Sequence, residues 1–156
     1  MEEERIAFDF VQGEMLPFKS KELHQEVIEP ATKLLRNPKY PKAEKAYQDA
    51  LEEVTGGKPS DAITDVGTAL QETLIALGCH GDSLGPLIKS AKAKGLLAAH
   101  DARMTQAIED IMQWVAADRS EKGDSHKAEA ATKDDGWFII HVVGALIVRL
   151  AGASGR

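Results

Sequence analysis

The chain has 156 residues, enough for one domain with a sizeable hydrophobic core. At 43% hydrophobic and 28% charged residues it fits neither the disordered class nor the membrane class. Its formal charge of −6 argues against a protein that grips nucleic acid non-specifically through phosphates, and leaves a local phosphate site open.

Aromatic residues make up only 5% while alanine and leucine are plentiful, which favours helices over strands. Cys79 is the one cysteine, so an intrachain disulfide and a multi-cysteine zinc site are both excluded. A single thiol fits a reducing cytoplasm. The start, MEEERIAFDF, is acidic and lacks the basic and apolar regions of a signal peptide.

Residues 1–19 mix Phe8, Phe10, Met15 and Phe18 with acids and read as an N-terminal arm, either a short strand or an extended segment packed on the body. A single helical domain is expected over 20–152. The stretch 19–35 carries Leu23, Val27, Leu34 and Leu35 on the helical period. Pro30 inside it predicts a kink or break, because proline lacks the N–H and crowds the preceding turn. Asn37-Pro38 ends this helix and Pro41 can open the next, over 43–54, which Gly56-Gly57 closes.

Ser60 is the expected N-cap of a third helix with the stripe Ile63, Val66, Leu70, Leu74, Leu77 and a stop at Gly78. Ser83 is expected to cap a fourth, ended by Gly95, and Asp101 a fifth. The fifth carries Met104, Ile108, Ile111, Met112 and Val115 down to Arg119. Residues 120–132 are polar and read as a loop or a frayed turn. Asp134 or Asp135 then caps a last helix over 136–150. That helix is apolar on nearly every face, so it is expected at the centre of the bundle. The apolar run 137–148 contains His141 and is shorter than a membrane span requires, which favours a buried helix over a membrane contact. Residues 153–156 are expected to be a disordered tail. The fold class predicted is all-α, a bundle of five or six helices.

The chemistry concentrates in Arg119 to His126, R-S-E-K-G-D-S-H. An arginine holds phosphate oxygens with a planar fork, and a histidine moves protons near neutral pH. Metal-independent RNA cleavage needs a base for the 2′-hydroxyl, an acid for the leaving oxygen and a cation for the charge on phosphorus. His126 suits either proton transfer and Arg119 suits the third task. Two copies facing each other across a dimer would supply both proton transfers. The plainer reading makes Arg119 a helix-C-terminal residue favoured by the macrodipole and His126 a surface histidine.

Residues 108–150 resemble the C-terminal domain of bacterial abortive-infection proteins, in the HEPN superfamily. Those domains carry an Arg, a polar residue, and a His four to six residues after the Arg. Here these are Arg119, Ser120 and His126, with Gly123-Asp124-Ser125-His126 matching a G-x-x-H turn and an apolar helix following. The resemblance implies a HEPN-like bundle, a homodimer and RNA as substrate for a metal-independent endoribonuclease or RNase-like toxin in phage defence, with no cofactor. It assigns Arg119 and His126 catalytic roles, makes Ser120 a supporting hydrogen-bond donor, and leaves room for an antitoxin or regulatory partner. Lys122 and Lys127 flank the motif as candidate binding residues. Ser120 stands where Asn, Asp or His is common, and Lys127 where a Gly often follows the His. These departures and the acidic net charge favour the alternative, a non-catalytic helical dimerisation or nucleotide- or protein-binding module.

The other candidates read as structural. His24, His80, His100 and His141 share no metal-ligand spacing. Cys79-His80 reads as a helix end. His141 is expected as a hydrogen-bonded core residue, or else as a polar contact behind the active loop. Glu72 is expected to face solvent, with orientation of Arg119 as its alternative. Asp118 and Asp124 flank the motif. Either can orient His126, and local loop hydrogen bonding is the favoured use of Asp124.

Overall fold

The structure, a computed structural model, describes residues 8–11, 14–120 and 131–154, with side chains described over 21–117 and 131–153. The N-terminal arm is a hairpin. Strand β1 (Phe8–Val11) pairs antiparallel with β2 (Glu14–Pro17), Phe8 opposite Pro17 and Val11 opposite Glu14. All other elements are helical, and the fold is an all-α bundle.

The first helical segment runs α1 (Phe18–Leu23), a wide π-type turn (His24–Ile28), then α2 (Glu29–Leu35). The kink expected at Pro30 is this wide turn. Pro30 offers no N–H and would crowd the carbonyl of Glu26. Widening the preceding turn relieves that crowding, and the Glu29 N–H reaches back to His24 O.

Helix α3 (Pro41–Thr55) starts on Pro41 and α4 (Pro59–Ala76) on Pro59, each with its ring fitting the first turn. Helices α3, α4 and α5 (Leu84–Ala93) all end the same way. Gly57, Gly78 and Gly95 take φ of 83°, 91° and 81°, a left-handed conformation that only glycine adopts cheaply. The N–H groups that follow close back on the last turn: Lys58 to Glu53 O (2.8 Å), Cys79 to Leu74 O (3.0 Å) and Leu96 to Ala91 O (3.0 Å).

Helix α6 (Ala102–Ser120) is capped by Asp101, whose Oδ1 accepts from the Met104 N–H at 2.8 Å, as expected. Of its predicted stripe, Ile108, Met112 and Val115 are buried, whereas Met104 and Ile111 are exposed. An ion pair between Lys92 and Glu109 (2.9 Å) ties α5 to α6.

Three cap assignments need correction. Ser60 lies inside the first turn of α4, because Pro59 already begins the helix, and the cap position falls on Lys58 with no side-chain bond. Ser83 sits at the cap position of α5 with extended backbone but makes no capping bond. Helix α7 (Lys133–Ser154) is capped by Thr132: its hydroxyl accepts from the Asp135 N–H (3.1 Å), and Asp135 Oδ2 accepts from the Thr132 N–H (2.9 Å). Asp135 is therefore the returning partner of a reciprocal box. The helix continues through Gly152 to Ser154, beyond the expected end.

The centre of the bundle also differs from expectation. Helix α4 packs against α3, α5, α6 and α7, and its Ala62, Val66, Ala69, Leu70 and Thr73 are fully buried. Helix α7 buries Ile140, Val143, Ile147 and Leu150 but leaves Phe138 64% exposed. Among the described residues one helix, Lys133–Ala153, is long and apolar enough to cross a membrane, with 44% of its apolar window buried in the bundle. The 137–148 run is itself short; the helix reaches that length on its C-terminal side, where Leu150, Ala151 and Ala153 continue it past Arg149, while Lys133, Asp134 and Asp135 precede it.

Candidate functional site

Arg119 and Ser120 are the last two residues of α6, so Ser120, which the sequence placed in a loop or a frayed turn, closes the helix. Their side chains, and the whole of Lys122, Gly123, Asp124, His126 and Lys127, lie outside the described residues, as does the side chain of Asp118. The structure therefore fixes where the motif begins on the fold and where the chain returns.

The return point is specific. The Ala131 N–H donates to Ser60 Oγ at 3.4 Å, in the first turn of α4, and Thr132 then caps α7. The Ser60 hydroxyl thus receives the returning chain. Near the other end of α7, Arg149 Nη2 donates to Ala98 O (3.0 Å), beside the entry to α6. Residues 121–130 accordingly connect the C-terminal end of α6 to the end of the bundle where α4 and α7 begin. A helix C-terminus favours a cation such as Arg119. Glu72 is partly buried, and lies roughly 18 Å along α4 from Ser60.

The described histidines divide into two kinds. His80 and His100 are exposed, and His100 Nε2 lies 3.0 Å from the Asp101 carboxylate. His24 and His141 are partly buried and close enough to act on each other electrostatically. His141 Nδ1 donates to Trp137 O at 2.7 Å, which leaves Nε2 as the unprotonated nitrogen of the neutral ring. That Nε2 is buried without a partner, and so are His24 Nδ1 and Trp137 Nε1. Burial holds the His141 pKa below the ordinary imidazole value. The carbonyl bond opposes that shift, and the nearby His24 adds to it. The core hydrogen bond expected of His141 exists, but the residue borders a groove rather than the interior.

That groove, of about 480 Å³, runs between the first helical segment and α7 and is lined by Leu23, Val27, Trp137, Phe138, His141 and Val142. Sequence reasoning missed it. Its signal is the run of Asp134, Phe138, His141, Ala145, Val148 and Gly152 along one side of α7. A second groove of similar size lies on the other side of the first segment, with His24, Thr32, Lys33, Arg36 and Gln48 on its walls.

Cys79 is buried behind the end of α4, and burial raises its thiol pKa against the opposing effects of Ser90 and Lys94. It is a closing residue of the helix-end motif, as the sequence suggested. Among the described residues no three His, Cys, Asp or Glu side chains converge as a metal site. Compared with known proteins, the chain matches no family model, no curated protein and no solved structure.

Proposed function

We propose that this protein is a metal-independent endoribonuclease, acting in the cytoplasm as an RNase-like toxin in phage defence, with the HEPN-type arrangement that residues 108–150 resemble. The observation that carries the reading is the motif itself, Arg119-Ser120 followed by Gly123-Asp124-Ser125-His126, set between a helix that ends on Ser120 and a long apolar helix. Arg119 holds the scissile phosphate and neutralises charge as the 2′-oxygen adds to phosphorus. His126 takes the 2′-hydroxyl proton or delivers one to the departing 5′-oxygen, and the second copy in a homodimer performs the complementary transfer. Ser120 supports the phosphate with a hydrogen bond, and Lys122 and Lys127 bind neighbouring phosphates.

The test is cleavage of a mixed RNA pool in EDTA by the wild type, Arg119→Ala and His126→Ala, each with helix content measured. Cleavage by the wild type alone supports the reading. Equal cleavage by all three overturns it.

A second reading is favoured by a separate observation, the exposure of Phe138 and Leu23 on an apolar groove. In that reading the domain is a non-catalytic dimerisation or binding module, with Arg119 holding a phosphate or carboxylate. Folded wild type that fails to cleave RNA supports it.

A further inference from the structure

The apolar groove beside His141 does not end at Ala145. A second depression of about 350 Å³ shares Val27 and Ala145 with it and continues along α7 to Val148 and Gly152. Together they run from Asp134 to Gly152, about 27 Å of helix. Asp134, Phe138, His141, Ala145, Val148 and Gly152 follow one another at alternating steps of four and three residues, which keeps them on one stripe of α7. The bundle leaves the groove uncovered: Phe138 on one wall is 64% exposed and Leu23 on the other is 46% exposed. Exposed apolar surface of this extent marks an interaction site.

The charges on the walls identify the occupant. Asp134 on α7 and Glu26 on the first segment are exposed, and neither carboxylate has an ion pair or a hydrogen bond among the described residues. Arg149 borders the far end, but its guanidinium is engaged with the Ala98 carbonyl. A fatty-acid carboxylate or an anionic lipid headgroup would therefore meet two carboxylates and no uncommitted cation. The net charge of −6 adds to the preference for a cationic visitor. Trp137 lines the groove one helical turn from Asp134, so an ammonium or guanidinium placed between them meets a carboxylate and an indole ring. The shape fits a helix: roughly 18 residues of α-helix span the same length, and apolar side chains at steps of three and four fill a groove between two helices.

We propose that this groove binds a basic amphipathic helix of a partner protein, with apolar side chains of that helix seated between Leu23 and Phe138 and its lysines or arginines paired with Asp134 and Glu26. The proposal does not rest on RNA cleavage and is tested without RNA.

The experiment measures binding of two labelled synthetic peptides of roughly 18 residues to the full chain by fluorescence anisotropy, up to about 100 μM protein. One peptide carries leucine on one helical stripe and lysine elsewhere, and the other replaces each lysine by glutamate. The lysine peptide is expected to bind and the glutamate peptide to fail. Phe138→Ser and Leu23→Ser each weaken binding at least about fivefold with helix content unchanged, since both side chains are exposed. Asp134→Asn with Glu26→Gln weakens it too and reduces its dependence on salt. A matched change on the exposed face of α6, Asp110→Asn with Ile111→Ser, leaves binding unchanged. Failure of the lysine peptide to bind overturns the proposal. Equal binding of both peptides, indifference to Phe138→Ser and Leu23→Ser, or an equal loss from the α6 change overturns it as well. Wild-type binding to phosphatidylcholine–phosphatidylserine vesicles that Phe138→Ser abolishes assigns the groove to a lipid surface, and a peptide-free dimer that Phe138→Ser dissolves assigns it to a second copy. Either result overturns the proposal.

Discussion

The Tyr47 hydroxyl donates to the carbonyl of Ile140 at 3.1 Å, joining α3 to α7 across 93 positions of sequence. The contact depends on Gly144. A Cβ at that position would stand 2.5 Å from the Tyr47 oxygen and 3.2 Å from Val27 Cγ1. Tyr47 is 1% exposed, and burial raises its phenol pKa. The hydroxyl therefore has no room to yield toward solvent.

Gly144→Ala is expected to destabilise the fold by about 1–3 kcal/mol, the usual cost of overpacking, despite the better helix propensity of alanine. Tyr47→Phe alone is expected to cost about 1 kcal/mol, one buried hydrogen bond. The two changes together should cost less than their sum, because removing the hydroxyl makes space for the new methyl group. Urea denaturation of the four proteins measures the coupling, and strict additivity would show that the clash is relieved elsewhere.

Thr132 and Asp135 satisfy each other's backbone N–H at the start of α7. Thr132→Ala is expected to cost about 1 kcal/mol, and Thr132→Ser much less. Because this cap follows the candidate motif directly, Thr132→Ala should also reduce RNA cleavage if residues 121–130 need a fixed return point. Thermal melts combined with the cleavage assay check both effects.

The local punctuation of this fold was legible in the sequence, since each signal has a local cause. Gly57, Gly78 and Gly95 end helices because the closing turn requires positive φ, and Pro41 opens a helix because its missing N–H would have no partner there; Pro59 does the same, but the sequence reads the neighbouring Ser60 as the cap. The cap at Thr132 was less legible: two adjacent aspartates offered themselves, and only the pairing of Thr132 with Asp135 decides which residue lies outside the helix. The central position of α4 was not legible. An apolar helix and a surrounded helix look alike along one strip of sequence, and the neighbours that cover each face come from elsewhere in the chain. For the same reason the exposed stripe of α7 was hidden inside a run that read as uniformly buried. The motif from Arg119 to His126 was legible as a pattern of chemical types, but a polar connection carries no periodicity that would orient its side chains.

His141 makes stability depend on pH in a definite direction. Its pKa in the folded protein lies below the ordinary imidazole value near 6.5, so the unfolded chain takes up the proton first. The stabilisation is fully present above that ordinary value and is lost as pH falls from there toward the folded-state pKa. His24 lies near the ring, the Trp137 carbonyl holds Nδ1 and Asp134 borders the same groove, so His24 must be held constant in any comparison. His141→Gln is expected to flatten the acid side of the stability profile. Denaturation midpoints at pH 5 to 8 decide this, and an unchanged slope in His141→Gln would assign the proton uptake to another group.

Replacement of Arg119 distinguishes charge from shape at the candidate site. A guanidinium engages two phosphate oxygens at once, whereas a lysine supplies a point charge. If Arg119 holds the scissile phosphate through that fork, Arg119→Lys should lose most of the cleavage that Arg119→Ala loses while preserving the net charge. His126→Ala should lower the rate by about 10²–10⁴, the usual contribution of a positioned acid or base. Single-turnover cleavage of one defined RNA by all four proteins gives these ratios directly. Full activity in Arg119→Lys would make the residue an electrostatic attractor alone, and full activity in His126→Ala would remove the histidine from the chemistry.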